Sequence, residues 1–103
     1  MDEQSVIARR LKEARLAAGL SQERLGVMAG IDEFSASARM NQYERGVHVP
    51  NLQLISKIAD LLSVPTGYFY TEEDQLAAIL QIYGKLNQRQ RKKLTDLVKE
   101  FAV

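Results

Sequence analysis

The chain has no cysteine and no tryptophan, only two prolines, and a single histidine among its 103 residues. Without cysteine, a disulfide framework and thiolate metal sites are excluded. His48 alone cannot hold a metal, because no carboxylates surround it at ligand spacing. Long hydrophobic runs are missing as well. None approaches the roughly 18 residues of a membrane span, and the N-terminus lacks a secretion-signal pattern. An excess of one charge is also absent. The 14 basic and 13 acidic residues leave a net charge of +1, and residues 1–50 carry seven charges of each sign. Composition alone therefore does not point to nucleic acid. No nucleophile–base pair, metal constellation or glycine-rich phosphate loop suggests an enzyme, and nothing implies a cofactor or small-molecule ligand. These absences predict a cytoplasmic, non-enzymatic protein with no membrane partner.

What is present is helical punctuation. At 46% hydrophobic content the chain can build a real core without staples. Asp2 is placed to cap a first helix running to about Ala18, with Ile7, Leu11, Ala14 and Ala18 on one face. Gly19 stops it, since glycine adopts the left-handed cap without strain. Ser21 caps a second helix from Gln22 to Ala29, closed by Gly30. A third ends at Tyr43–Glu44, with Gly46 as its stop. Asn51 caps a fourth that carries Leu54, Ile55, Ile58, Leu61 and Leu62 and cannot pass Pro65. Thr66–Tyr70 reads as a short fifth turn. Thr71 is expected to cap a sixth element ending near Gly84. Asn87 and Gln90 form a capping-box-like pair for a last helix.

The stretch from Ala14 to Ile31, ARLAAGLSQERLGVMAGI, is followed by YERGVHVP and by a helix opening NLQLISKIADLLSVP. The ordered set of G-L-S-Q at 19–22, Gly26, A-G-I at 29–31, E-R-G at 44–46 and Pro50 resembles the lambda-repressor-like domains of the Xre and Cro regulators. The resemblance covers about residues 5–70. It implies an all-α, lambda-repressor-like five-helix DNA-binding domain at residues 1–70. Two additional C-terminal helices follow at 71–103. It also implies that the third helix enters the major groove of double-stranded DNA, and that Arg15 pairs with Glu44. Each feature has a physical reason in such a fold. Two short helices crossing steeply need a small residue at their contact, supplied by Gly26, and a tight turn between them, supplied by Gly30.

Between Gly30 and Glu44 the chain is longer than such domains usually are by about four residues, one helical turn. Stepping about 100° per residue places Ser37, Ala38, Asn41, Gln42 and Arg45 on one face and Ala36, Met40 and Tyr43 on the other. A helix begun at Glu33 would carry Phe34 onto the polar side. The preferred reading is therefore a longer turn, Asp32–Phe34, with Phe34 folded onto the core and the helix starting near Ser35. On the polar face Asn41 and Gln42 can pair with adenine edges, Ser37 is a versatile contact, and the Ala38 methyl can meet a thymine methyl. Gln22, Arg39 and Arg45 are placed for phosphates, with His48 equally readable as an exposed loop residue.

The C-terminal helices carry apolar stripes, Leu76/Ile79/Leu80/Tyr83 and Leu94/Leu97/Val98/Phe101. Glu72, Glu73 and Asp74 open the first, while residues 85–93 hold five basic residues and no acidic one. The expectation is a homodimer held by these stripes, bound to a palindromic site as a repressor-like transcription regulator. The alternative is a helical interaction module, antitoxin-like or adaptor, with little specific DNA binding.

Overall fold

The computed structural model describes residues 3–103, with side chains of the first helix described from Val6 onward. The expected cap, Asp2, lies outside the described residues. The elements are α1 (Glu3–Ala17), α2 (Gln22–Met28), α3 (Glu33–Glu44), α4 (Leu52–Leu62), a 3₁₀ turn (Thr66–Tyr70), α5 (Asp74–Tyr83) and α6 (Gln88–Phe101). There is no strand among the described residues.

Local chemistry explains most boundaries. Ser21 accepts from the Arg24 amide at 3.0 Å and Asn51 from the Leu54 amide at 2.8 Å, so both caps satisfy otherwise orphaned donors. Gly19, Gly30 and Gly46 take positive φ where their helices end. Asn87 and Gln90 form a reciprocal capping box at 2.9 and 3.0 Å. Ser63, just past α4, also adopts the left-handed conformation, with φ 55°.

The core lies among α1, α2, α3, α4 and the 3₁₀ turn. Ile7, Leu11 and Ala14 meet Leu25, Met40, Ile55 and Ile58, with Tyr68 and Phe69 beneath. The rings of Tyr68 and Phe69 meet edge to face, centroids 5.2 Å apart. Ala18, expected on the buried stripe, is exposed, because α1 ends one residue earlier and the chain turns outward at Gly19.

Three local expectations are corrected. The turn before α3 is not lengthened: α3 begins at Glu33, so the additional residues form one more helical turn. Phe34 is 91% exposed and does not fold onto the core. The core is already closed by Ile31, Ala36 and Met40, which leaves no vacancy for a ring. Thr71 does not cap α5 either. Its hydroxyl donates to the Gly67 carbonyl at 2.8 Å, and α5 starts after Glu73 with no side-chain cap.

Beyond residue 70 the packing thins. Ala77 is the buried residue of α5, and no residue of α6 is buried. The molecule is elongated, 51 × 29 × 22 Å. What fastens α5 is a buried arginine of α1. Arg10 Nε donates to the Thr71 carbonyl at 2.8 Å. Its Nη2 donates to the Glu72 carbonyl at 2.8 Å and to Asp74 at 3.0 Å, and its Nη1 to Glu13 at 2.9 Å. The guanidinium also lies 5.8 Å from the centre of the Tyr68 ring. Arg9 reaches the same Asp74 carboxylate at 2.6 Å. The hydrogen bonds from Arg9 and Arg10 hold the Asp74 carboxyl below its ordinary range. Burial, reinforced by the Glu13 carboxylate, pushes the Tyr68 hydroxyl up to about 12. At the other end, Gly84 lies directly against the Ser63–Val64 backbone, and a Cβ there would collide with the Ser63 carbonyl.

Candidate nucleic-acid interface

The pair α2–α3 is built around an absence of side chain. A Cβ on Gly26 would stand 2.9 Å from the Ala36 Cβ and 3.0 Å from Met40 Cγ, too close for either to remain. Glycine therefore lets α2 rest directly on α3. The Ile31 amide donates to the Gly26 carbonyl at 2.9 Å, closing the tight turn that Gly30 permits at φ 92°.

The end of α3 is fixed to α1 by charge. Arg15 Nε and Nη2 donate to the two Glu44 oxygens at 2.6 and 3.0 Å, a bidentate geometry, while Nη1 donates to the Leu20 carbonyl at 2.8 Å. The side chains are 10% and 3% exposed, so the pair is essentially out of water. Gln22 joins it: its amide nitrogen donates to Glu44 at 3.2 Å and to Asn41 at 3.3 Å. Gln22, which the sequence places for a phosphate, here has its amide nitrogen engaged with α3, linking the start of α2 to the middle and end of that helix.

Facing away from the core, α3 presents Phe34, Ser37, Ala38, Gln42 and Arg45 exposed, with Asn41 half-buried beside Gln22. Arg39 lies on the flank, its Nη2 donating to the Tyr43 hydroxyl at 2.7 Å and its guanidinium 5.8 Å from that ring's centre. His48 is exposed in the following loop. The outward face thus combines amides, hydroxyl, methyl and a terminal guanidinium, a set suited to base edges and phosphates. Ser37, Ala38, Asn41, Gln42 and Arg45 come together on this face. Arg39 stands beside it, and Phe34 joins it unannounced. The signal for Phe34 was available, since helical stepping itself carries that residue to the polar side.

The second candidate surface lies on α5 and α6. Leu76, Ile79, Leu97, Val98 and Phe101 are exposed, Phe101 at 83%. Leu80 instead packs partly onto the core. Tyr83 is half-buried, with the Arg91 guanidinium 4.6 Å from its ring centre, and Leu94 is half-buried. Ile82, which the stripes omitted, is 63% exposed. Arg10, the arginine that holds α5 in place, was also absent from the sequence reading. A charged residue on an otherwise apolar helix face was its only signal.

A helix-turn-helix family model matches residues 11–69. No curated protein matches the chain. Among solved structures, the crystal structure of the transcriptional regulator BswR is similar, with a TM-score of 0.83 and 46% sequence identity. The match covers 90% of this chain and 92% of that one.

Proposed function

The chain belongs to the Xre/lambda-repressor-like helix-turn-helix family, and from that premise we propose that it is a cytoplasmic, sequence-specific transcriptional regulator that binds a palindromic operator as a homodimer. The observation that carries this reading is the outward face of α3. It is polar and rich in amides, and it is held rigidly by the Gly26 contact and the Arg15–Glu44 pair. Asn41 and Gln42 read bases, Ser37 and Ala38 contribute nearby contacts, and Arg39 and Arg45 hold phosphates. Gln22 supports Asn41 from α2 and reaches a phosphate only through groups other than its engaged amide nitrogen.

The dimer reading rests on α6. A helix of 14 residues, none of them fully buried in its own chain, is marginal in water, and this one displays Leu97, Val98 and Phe101. A second copy of the same face supplies the missing burial, and two-fold symmetry then sets the two α3 helices roughly 34 Å apart. The described residues contain no helix long and apolar enough to cross a membrane.

The test compares Gln42→Ala with Arg45→Ala on cognate and scrambled DNA over a salt series. Loss of Gln42 is expected to cost about 1–3 kcal/mol on the cognate site and to relax one position per half-site. Loss of Arg45 is expected to weaken all sequences alike and to lower the salt slope by about one. Uniform loss from Gln42→Ala with altered preference from Arg45→Ala would mean that α3 docks in another rotation. Absence of any salt-dependent DNA binding by the wild type would favour an interaction module instead.

A further inference from the structure

From the position of Phe34 we infer that this residue reads thymine methyl groups, extending the base-reading face of α3 by one turn beyond Ser37. The inference rests on the DNA-binding reading above and specifies part of its recognition code. Of the three phenylalanines, Phe69 is 1% exposed within the core and Phe101 lies on the apolar face of α6. Phe34 stands alone at 91% exposure, on the helix whose other outward residues are polar or small.

Three observations give that exposure a direction. First, the additional residues before Glu44 are helical from Glu33, so α3 is longer by one turn at its N-terminal end. That is the end of a recognition helix whose side chains approach base edges. Second, Phe34, Ala38, Asn41 and Arg45 follow helical spacing along one stripe, so a docking that presents Asn41 also presents Phe34. Third, Asp32 and Glu33 precede it, both exposed, and Asp32 makes no side-chain cap. Carboxylates at this point are repelled by phosphates, so these two residues give this end of α3 no hold on the sugar–phosphate backbone.

In the major groove the apolar feature available to a ring is the C5-methyl of thymine. A lone aromatic in a polar stripe is too small a patch for a protein partner. The separation between Phe34 and Asn41 is seven positions, about 10.5 Å of helix, or about three base-pair steps. Phe34 thus specifies an A·T pair about three steps from the base pair read by Asn41.

The experiment uses the full chain as wild type, Phe34→Ala and Asn41→Ala. Sites are first selected from a random DNA pool. Affinities are then measured on the wild-type site with thymine or with uracil, which lacks the methyl, at the assigned position. The expected result is a wild-type preference for thymine over uracil of about four-fold per half-site, the size of one buried methyl. Phe34→Ala loses a similar factor on the thymine site and binds thymine and uracil equally. Its melting temperature and salt slope stay unchanged, because the ring touches no core residue. Asn41→Ala relaxes a different position and keeps the thymine preference. Should Phe34→Ala retain both the selected sequence and the thymine–uracil difference, the role of Phe34 is overturned while sequence-specific binding stands. Should the wild type select no sequence at all, the DNA-reading proposal falls and the inference with it.

Discussion

The two ends of this molecule treat the same kinds of residue in opposite ways. From α1 to the 3₁₀ turn, each helix sends apolar side chains into one shared core, and both inward arginines find acceptors. From α5 onward, comparable stripes are mostly exposed, and no residue of α6 is fully buried. The contrast lies in closure rather than in composition. The first region satisfies itself within one chain, whereas the second carries a capped helix whose Leu97, Val98 and Phe101 stay exposed.

The comparison breaks most forcefully at Arg15. Replacing it with Met leaves Glu44, 3% exposed, without its partner, and a cost of about 3–5 kcal/mol is expected. Thermal unfolding should show the loss in the first region, while the exposed control Lys57→Met changes little. If the two variants melt alike, the pair does not stabilise the fold.

Phe101→Ala addresses the other side. The ring is 83% exposed in the single chain, so monomer melting should be unchanged. Association should weaken by about 1.5–3 kcal/mol per subunit as its burial is lost. Sedimentation over a concentration series checks this, and an unaltered dimer would remove Phe101 from the interface.

Arg10→Met sharpens the junction between the regions. It removes the donors to the Thr71 and Glu72 carbonyls and to Asp74, with an expected cost of about 2 kcal/mol. It should also broaden tolerance for operators whose half-sites are respaced, measured on a panel of spacer lengths. Wild-type strictness in the variant would show that α5 is held by other means.

The smallest effect concerns Tyr68. Its hydroxyl titrates near 10 in an unfolded chain and is raised to about 12 in the fold. The raised value means that its stabilisation is complete below about pH 10 and is lost as pH climbs towards 12. Tyr68→Phe, expected to cost about 1 kcal/mol at neutral pH, should flatten that alkaline loss in a pH series of melts. An unchanged slope would place the alkaline transition elsewhere. At the acid end, Asp74 has the opposite sign. Its lowered pKa makes the contribution of its ion pairs present above the ordinary carboxylate range and lost as pH falls below it.

Much of the helical order could be read from local residues, because caps act over three or four positions. Ser21, Asn51, Asn87 with Gln90, and the glycines at 19, 30 and 46 each carry their own stop or start. What was not legible depends on competing contacts, some close in the chain and some distant. Thr71 has the chemistry of a cap, yet a carbonyl four residues back holds its hydroxyl. Gln22 looks like a surface amide until Asn41 and Glu44 are brought beside it. Phe34 differs for another reason: helical phase from Glu33 carries it outward, and that phase outweighs the general preference of aromatic rings for burial.

One helix carries both of the molecule's principal fasteners. Arg15 bolts α1 to the C-terminal end of α3, and Arg10, five positions earlier, bolts it to the start of α5. The two bolts are separated by about 7.5 Å of a stiff rod. In mechanical terms α1 is a short axle between α3 and α5. A small turn of α5 about Arg10 has almost no length of chain over which to dissipate before it reaches Glu44. The angular tolerance of the whole assembly is accordingly that of about one and a half turns of helix.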